Sequence, residues 1–291
     1  MTVLVDLNPV MISTLMVQIG FSNKRTSVDL NEHFLRHLII NTLRSYNVKY
    51  GKEKGPMILC ADPVRSWRYE YFPYYKAGRK TARDNSTLDW PMIFKVFGKI
   101  REEIKEFLPY KVMEVPRAEA DDIIGTLAIH LSEKGENVLI VSSDKDFKQL
   151  AIYPGITQYS PILQTMIREK DPKAFLKEHI IRGEPSATGD GIPNILSNDD
   201  SLITKVGKKN LNGKMVEKWM ALDYEQFCTN EMLRNWKRNE MLIDLTMTPD
   251  DIKQAILTEF EVPKEKVLKR QTLNYLMGSG LRNIISMVED F

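Results

Sequence analysis

The segment VLIVSSDKDFKQL, residues 138–150, passes through four apolar residues and then reaches two aspartates separated by a lysine. TVLV (2–5) and PMILCA (56–61) are two further apolar runs without alternation, which is typical of strands buried on both faces of a parallel sheet. Helical patterns at 30–48 and 118–135 separate these runs. Alternating strands and helices predict an α/β fold with a mostly parallel central sheet flanked by helices.

A fourth strand is predicted at YKVMEVP (110–116), directly before the second helical pattern. The composition changes near residue 182, where RGEPSATGDGIPNILSNDD (182–200) has the Gly, Pro, Ser, Asn and Asp content of a loop. Helical patterns without a further clear parallel strand follow this loop. We therefore predict an α/β domain over residues 1–182 and a smaller helical C-terminal domain over residues 183–291.

Composition limits the functional classes. The chain of 291 residues carries 41 Lys and Arg against 39 Asp and Glu, so its net charge of +2 neither favours nor excludes a nucleic-acid partner. Cys60 and Cys228 have no metal-type spacing and suit a reducing compartment. The N-terminus resembles a signal peptide but lacks a basic start, and Asp6 interrupts its apolar run. Because no stretch has transmembrane length, we expect a soluble, cytoplasmic protein (in the host cell if it is viral) without a membrane partner.

Acidic residues recur where strands are predicted to end, at the start of the second helical pattern and in the late loop. These candidate metal ligands are Asp6, Asp62, Glu119, Asp121, Asp122, Asp144, Asp146, Glu184 and Asp190. Each of them alone is better explained as a helix cap, a turn former or a complement to a helix dipole. Ligands bind outside the carboxyl ends of parallel strands, so the set is expected to converge. The carboxylates would then repel one another, so bound cations are needed to neutralise their charge.

The candidate ligands are hard oxygens, with no histidine or cysteine among them. Such ligands favour Mg²⁺ or Mn²⁺ over Zn²⁺. The carboxylates outnumber those that one Mg²⁺ normally uses, so we predict two ions about 4 Å apart, as in two-metal phosphodiester hydrolysis. Asp144 and Asp146 are then expected to serve different ions or different shells around them.

A basic and aromatic segment, RSWRYEYFPYYKAGRKTAR (65–83), begins three residues after Asp62. Its basic residues, which are candidate nucleic-acid contacts, are Arg65, Arg68, Lys76, Arg79, Lys80 and Arg83. Six aromatic residues lie among them and offer stacking platforms for unpaired bases, as in a single-strand channel. The alternative is an amphipathic surface helix with aromatic residues in the core. The position beside the predicted metal site favours a nuclease.

Two other patterns are less informative. A second basic cluster is more typical of a solvated face than of a surface that contacts duplex nucleic acid. Lys208 and Lys209 are weak candidates for such a contact. The cluster consists of Lys205, Lys208, Lys209, Lys214 and Lys218. His33 and His37 have the i, i+4 spacing of zinc ligands, but no glutamate follows His33, so we interpret both as ordinary helix residues.

Six motifs occur in the order found in 5′-nucleases of the flap endonuclease superfamily: VLVD, ILCAD, YYKAGR, AEADDIIGTLA, VSSDKDFKQL and GDGIPN. The chain resembles this family over most of residues 1–195 and is most similar to its T-even-type bacteriophage ribonuclease H branch. The resemblance implies a nuclease with two Mg²⁺ sites, and the hard oxygen ligands allow Mn²⁺ to substitute. It also implies cleavage of DNA and RNA–DNA hybrids near a free 5′ end or flap, and removal of RNA primers during replication.

The resemblance further implies residue roles. Around the first ion it places Asp6, Asp62, Glu119, Asp121 and Asp144, with Asp122 adjacent to them. Asp146 and Asp190 lie nearer the second ion. Lys76 and Arg79 match the basic pair that holds the scissile phosphate and stabilises charge in the transition state. Residues from about 65 to 95 correspond to the arch or bridge that admits a single-stranded 5′ end.

Two departures from the family pattern concern the late segment. Glu184 takes the first acidic place, six residues before Asp190, and DGIPN replaces the expected pentapeptide. LITKVGKKNLNG (202–213) lacks the paired glycines of the usual helix-hairpin-helix. A PIN-like RNA endonuclease and a non-catalytic DNA-binding protein with a vestigial site are the alternatives. We expect a monomer, and MVEDF (287–291) is a candidate docking tail for a replication single-strand-binding protein or clamp.

Overall fold

The computed structural model describes residues 1–21, 31–51, 55–186 and 189–291. The helix predicted at 30–48 therefore begins outside the described residues, at position 30, and positions 187–188 of the predicted loop also lie outside them. Within the described ranges, no helix is both long and apolar enough to cross a membrane.

One six-stranded sheet forms the centre of the described structure. Its strands are β1 (Thr2–Asp6), β2 (Met57–Cys60), β3 (Lys111–Met113), β4 (Val138–Val141), β5 (Ile156–Ser160) and β6 (Thr165–Ile167). They lie in the order β3-β2-β1-β4-β5-β6, and only β6 pairs antiparallel. The mostly parallel sheet and all four predicted strands are confirmed. The short, more polar strands β5 and β6 were not predicted, since they lack a long apolar run.

The strand order reverses between β1 and β4, which lie next to each other. In open α/β sheets such a reversal leaves a crevice outside the carboxyl ends of the two strands, because their crossover connections leave in opposite directions. The register pairs Val5 with Leu59 on one side and with Val141 on the other. The three apolar runs therefore end at the same edge of the sheet, beside this crevice.

Helices cover both faces of the sheet and make up most of the C-terminal part. Those before the late loop are α1 (Leu7–Phe21), α2 (Glu32–Tyr46), α3 (Arg68–Tyr71), α4 (Ala77–Asp84), α5 (Trp90–Phe107), α6 (Ala120–Glu133) and α7 (Pro172–Arg182). Those after it are α8 (Ser201–Thr204), α9 (Gly213–Met220), α10 (Tyr224–Phe227), α11 (Asn230–Ile243), α12 (Asp250–Glu261), α13 (Lys269–Gly278) and α14 (Arg282–Ile285). Lys145–Ile152 and Leu245–Met247 are 3₁₀ segments, as is Val288–Asp290, and Asn47–Gly51 is a π-helical turn.

The cores follow from the alternation of side chains along β1. Val3 and Val5 point into a core shared with α1, α2 and α5, whereas Leu4 points into a core shared with α6 and α12. Tyr275 and Leu276 of α13 belong to the first core, and Ile252 and Ile256 of α12 belong to the second. The domain boundary near residue 182 stays a prediction, and residues on both sides of it share these two cores.

A third core lies beneath the basic segment. It joins Phe72 and Tyr75 to Ile181 of α7, to Ile192 of the late loop and to Trp236 of α11. Each fully buried side chain of this size stabilises the fold by roughly 1.5 to 3 kcal/mol. The basic segment is therefore anchored at its base by the helices that flank the late loop.

The C-terminal residues pack against the end of α2. Arg44 forms an ion pair of 2.5 Å with Asp290, and the side chain of Asn47 donates a hydrogen bond of 2.8 Å to the backbone carbonyl of Asp290. The ring of Phe291 lies 6.3 Å from that of Tyr110. The candidate docking tail is thus engaged with its own chain, and its role toward a partner stays a prediction.

Candidate metal centre and basic cleft

Asp6 ends the central strand β1 and lies at the crevice beside β4. Its side chain is buried and accepts a hydrogen bond of 3.1 Å from Ser142 Oγ, which follows β4. Burial, with the charges of Asp62 and Asp144 in addition, raises the pKa of Asp6 well above its ordinary value. The carboxylates predicted from separate strands therefore lie close enough to oppose one another's ionisation.

Asp62 and Asp144 complete the strand-end set. Asp62 follows β2 and accepts hydrogen bonds from the side chain of Asn8 and, at 2.8 Å, from the backbone N–H of Ala120. Burial raises the pKa of Asp62, and Lys76 offsets part of that rise. Asp144 is exposed and caps the 3₁₀ segment after β4, where its Oδ1 accepts from the backbone N–H of residue 146 at 2.9 Å.

Asp121 brings a fourth carboxylate from the first turn of α6. Burial and then the charges of Asp144, Asp6 and Asp62 raise its pKa well above its ordinary value. We call Asp6, Asp62, Asp121 and Asp144 the carboxylate cluster. Its members come from four separate parts of the chain, and tertiary structure gathers them at the carboxyl edge of the sheet.

The carboxylate cluster fits a divalent metal by its chemistry. Its donors are hard oxygens, and the raised pKa values show a local excess of negative charge that a cation would neutralise. As the side chains stand, no three His, Cys, Asp or Glu residues in the described ranges are arranged to enclose one ion. Water and substrate oxygens are therefore needed to complete any coordination shell, as is usual for Mg²⁺.

Lys76 and Glu119 form an ion pair beside the carboxylate cluster. Lys76 Nζ lies 2.5 Å from Glu119 Oε1, and Arg68 and the Tyr75 hydroxyl contact Glu119 Oε2 at 3.1 and 2.8 Å. Burial opposes ionisation of Glu119, but Lys76 and Arg68 outweigh it and lower the pKa of Glu119 to about 2. Glu119 is thus a carboxylate whose charge is already balanced by protein cations.

Asp190 docks the late loop against the basic segment. Its Oδ1 lies 2.9 Å from Arg79 Nη2 and 3.7 Å from Lys76 Nζ, and its Oδ2 accepts from the Tyr75 hydroxyl at 3.1 Å. Lys76 has a left-handed φ of 53° and donates its backbone N–H to the carbonyl of Asp190 at 2.8 Å. Gly191, with φ of 68°, permits this close backbone approach. The basic pair and the loop acid are therefore brought together.

Arg68 and Asp122 are placed differently from the prediction. Arg68 is 2% exposed, and its guanidinium contacts Asp122 Oδ2 at 2.8 Å and donates from Nε to the carbonyl of Leu242 at 3.1 Å. Asp122 is fully buried and also accepts from Trp67 Nε1 at 3.1 Å and from Thr248 Oγ1 at 2.8 Å. We call these five residues the Arg68 network.

This placement corrects two predictions. Arg68 cannot contact nucleic acid because it is buried, and Asp122 cannot act as a metal ligand because both of its oxygens accept hydrogen bonds within the protein. Asp122 Oδ2 also accepts from the backbone N–H of Glu119 at 2.9 Å, which completes a capping box at the start of α6. Both residues have structural roles.

Three basic residues of the segment, Lys76, Arg79 and Arg83, line a cleft of about 470 Å³ next to Asp62 and Glu119. The Arg83 guanidinium lies 5.6 Å from the ring of Phe94. Arg65 and Lys80 are exposed nearby in sequence, and Lys208 and Lys209 are exposed on the loop after α8. These positions leave the side chains accessible to a polyanion.

Three of the six aromatic residues of the segment are not stacking platforms. Trp67, Phe72 and Tyr75 are buried, with exposures of 3% or less, because Phe72 and Tyr75 belong to the third core and Trp67 belongs to the core shared with α6 and α12. Tyr71 and Tyr74 are exposed at 45% and 37%. The interpretation of the aromatic set as a stacking surface is therefore wrong for the three buried rings.

Sequence reasoning missed His179, which lies on α7 between two of the predicted acids. Its Nδ1 is 3.4 Å from Asp146 Oδ1, and its Nε2 is 3.2 Å from Glu184 Oε2. Burial and the charge of Asp144 raise the pKa of Asp146 to about 7. His179 is one of four histidines and stands five residues before Glu184, a signal that spacing rules for zinc sites do not capture.

Comparison with known proteins places these features in context. A family model described as the 5′-3′ exonuclease, N-terminal resolvase-like domain, matches residues 23–179. The chain is 31% identical over 303 residues to ribonuclease H of Enterobacteria phage T4, covering 99% of this chain and 95% of that protein. It is 33% identical over 124 residues to flap endonuclease Xni of Yersinia enterocolitica, covering 43% of each.

Solved structures show the same fold. A crystal structure of the bacteriophage T5 flap endonuclease, a pseudo-enzyme-product complex with DNA and metal ions, has a TM-score of 0.56 to this chain. The sequence identity is 16%, and the match covers 96% of this chain and 99% of that one. A second structure of the T5 protein, co-crystallised with metal ions, gives a TM-score of 0.55 at 17% identity and covers 95% of this chain and 98% of that one.

Proposed function

This chain belongs to the 5′-3′ exonuclease family and is a 5′-nuclease, a phosphodiester hydrolase, and we propose that it acts with Mg²⁺ bound at the carboxylate cluster. The observation that supports this assignment is the convergence of four acids at the crevice between β1 and β4, where Asp62 and Asp144 add to the burial that raises the pKa of Asp6, and these three acids add to the burial that raises the pKa of Asp121. Related structures that contain divalent metal ions are consistent with a metal-dependent reaction.

The proposed division of ligands between two ions keeps the one that the family resemblance implies. Asp6, Asp62, Asp121 and Asp144 hold the first ion, with Glu119 beside them, and Asp146 and Asp190 lie toward the second. Bound cations supply Lewis-acid activation of the phosphate and of the attacking water. Asp122 is left out of this set because its oxygens are used in the Arg68 network.

The proposed role of the basic pair is electrostatic. Lys76 and Arg79 line the cleft, and each contacts a carboxylate of the protein, Lys76 through Nζ and Arg79 through Nη2. A scissile phosphate entering the cleft competes with Glu119 for Lys76 and with Asp190 for Arg79. Donors fixed in advance stabilise charge that develops in the transition state, and they are worth more there than in water.

The proposed substrate is a nucleic acid with a free 5′ end. The T5 flap endonuclease structure contains DNA, and the T4 relative is a ribonuclease H, so both DNA flaps and RNA–DNA hybrids are proposed substrates. Removal of RNA primers and 5′ flaps during replication is the role that these substrates suggest, and we propose separately that the chain acts as a monomer. Neither a PIN-like RNA endonuclease nor a non-catalytic DNA-binding protein is favoured by any contact described above.

Product mapping tests the proposal. A 5′-labelled flap and an RNA-primed duplex are each incubated with the wild-type chain in Mg²⁺ and in chelator, beside Asp144→Asn. A matched control is Asp250→Asn, since Asp250 is fully exposed on α12. We expect cleavage near the 5′ junction in Mg²⁺ alone, its loss in Asp144→Asn and its retention in the control. Cleavage that survives chelator, or that Asp144→Asn leaves intact, contradicts the proposed site.

A further inference from the structure

His179 lies in a buried position between Asp146 and Glu184. It belongs to the last turn of α7, which packs against the 3₁₀ segment carrying Asp146, and it is 7% exposed. Its ring nitrogens face different acids: Nδ1 faces Asp146 Oδ1 at 3.4 Å, and Nε2 faces Glu184 Oε2 at 3.2 Å. The imidazole therefore links an acid of the sheet edge to an acid of the late loop.

The Nδ1 side of this arrangement lacks hydrogen bonds. Both His179 Nδ1 and Asp146 Oδ1 are buried atoms with no hydrogen-bond partner, and their separation of 3.4 Å exceeds that of a good N–H···O bond. Two donors that share one ion at about 2.1 Å each lie roughly 3 to 3.5 Å apart. The observed separation is thus long for a hydrogen bond and suitable for two ligands of one cation.

The Nε2 side has the partner that a metal-binding imidazole requires. Glu184 Oε2 accepts from Nε2, and the hydrogen bond from His179 is the first of the causes that lower the pKa of Glu184 to about 2. Lys145 also contacts Glu184, and the backbone of Glu184 pairs with Ile192 in both directions. A carboxylate held in this way fixes the proton on Nε2 and leaves the lone pair of Nδ1 free.

We propose that His179 Nδ1 and Asp146 Oδ1 together bind the second divalent cation, and that Glu184 orients the imidazole instead of binding the metal. This inference rests on the proposed two-metal function and adds a nitrogen donor to a site otherwise built from oxygens. Imidazole raises affinity for later transition metals such as Co²⁺ more than for Mg²⁺. Glu184 replaces the usual aspartate here, and the longer side chain contacts His179.

Calorimetry without nucleic acid tests the assignment. CoCl₂ and MgCl₂ are titrated separately into the wild-type chain, His179→Asn and the control His37→Asn, a half-buried histidine on α2 outside the site. Asparagine keeps a hydrogen-bond donor near the position of Nδ1 but has no imidazole lone pair. We expect His179→Asn to weaken Co²⁺ binding at one site by about 10- to 100-fold and Mg²⁺ binding by much less. The control should match the wild type for both metals.

Two outcomes overturn the proposal. Unchanged Co²⁺ affinity in His179→Asn means that the imidazole is no ligand, and equal losses for Co²⁺ and Mg²⁺ mean that it only holds Asp146 in place. If His179→Asn does not fold, ¹⁵N NMR of the wild-type ring with Zn²⁺ replaces it. The Nδ1 resonance must then move to the range of a metal-bound nitrogen, and a ring that stays protonated at both nitrogens overturns the proposal.

The inference and the proposed function fail separately. Metal binding is measured without substrate, and cleavage of the flap is measured in Mg²⁺. If cleavage depends on Asp144 but Co²⁺ binding does not depend on His179, the nitrogen donor is ruled out and the nuclease function stands. If His179→Asn loses Co²⁺ affinity but the wild type cleaves no substrate in any metal, the metal site stands and the nuclease function is ruled out.

Discussion

Asp121 and Asp122 are adjacent on α6, yet they belong to opposite kinds of environment. Asp121 faces the carboxylate cluster, where burial and neighbouring acids raise its pKa well above its ordinary value. Asp122 faces the Arg68 network, where a buried guanidinium, an indole N–H, a threonine hydroxyl and a backbone N–H all donate to its oxygens. Successive residues of a helix are about 100° apart, so one step along the chain separates the two surroundings.

The two regions differ in whether their buried charges are paired with opposite charges. In the Arg68 network every buried charge has its partners, so the region joins the basic segment, α6 and the end of α11 into one rigid unit. In the carboxylate cluster like charges are held together, which destabilises the metal-free protein and prepares a cation site. Substitutions in and around the two regions test this difference.

The largest expected effect is on catalysis at the carboxylate cluster. Asp121→Asn should lower the cleavage rate by roughly 10⁴-fold, or about 5.5 kcal/mol of barrier, because the first ion then has one ligand fewer. The same change should raise the thermal midpoint of the metal-free protein, since it relieves repulsion, and reduce the further rise on adding Mg²⁺. Single-turnover cleavage and thermal unfolding with and without Mg²⁺ measure both effects. A variant that cleaves normally would place Asp121 outside the metal site.

The second effect is on stability in the Arg68 network. Arg68→Met and Asp122→Asn should each lower the free energy of unfolding by about 3 to 5 kcal/mol, because each leaves a buried partner uncompensated. The matched control is Arg182→Met, whose exposed i, i+4 pair with Glu178 should contribute less than about 1 kcal/mol. Urea unfolding measures all three. If Asp122→Asn bound Mg²⁺ more weakly while keeping full stability, the structural assignment of Asp122 would be wrong.

The third effect distinguishes basic residues of the basic segment that act in catalysis from those that only bind nucleic acid. Lys76→Ala and Arg79→Ala should each lower kcat by about 100-fold with a small change in substrate affinity, because they act on the transition state. Arg65→Ala and Arg83→Ala should weaken binding and lower its salt slope by roughly one unit for each phosphate that the variant no longer neutralises. Cleavage kinetics and binding at several salt concentrations distinguish these roles. Equal, mild effects at all four positions would favour a solvated helix.

The smallest expected effect concerns the two acids of the late loop. Asp190→Asn should lower cleavage by roughly 100-fold and raise the Mg²⁺ requirement, because Asp190 contacts both residues of the basic pair and lies toward the second ion. Glu184→Gln should cost about 10-fold, since a glutamine oxygen still accepts from His179. Mg²⁺ titrations of cleavage on one flap substrate compare them. A more severe defect in Glu184→Gln would reverse the two assignments.

The local sequence was sufficient for four of the six strands and for the acids that follow three of them. Apolar runs without alternation indicated buried parallel strands, and an acid after each run indicated a site at their shared edge. Both features can be identified from short segments. A strand buried on both faces is a run of consecutive apolar residues, and neighbouring parallel strands end at the same edge of the sheet. Thus Asp6, Asp62 and Asp144 were identified, and the structure brings them together.

The role of each charged residue depends on long-range packing, which the sequence pattern does not reveal. The sequence predicted Arg68 as a nucleic-acid contact. In the structure its guanidinium contacts Asp122 and the carbonyl of Leu242, which lies 174 residues after Arg68 in the chain. His179 acquired its place between Asp146 and Glu184 only when α7 packed against the 3₁₀ segment. The physical reason is that a charge takes its role from the groups within a few ångströms, and long-range packing sets those groups independently of neighbours in sequence.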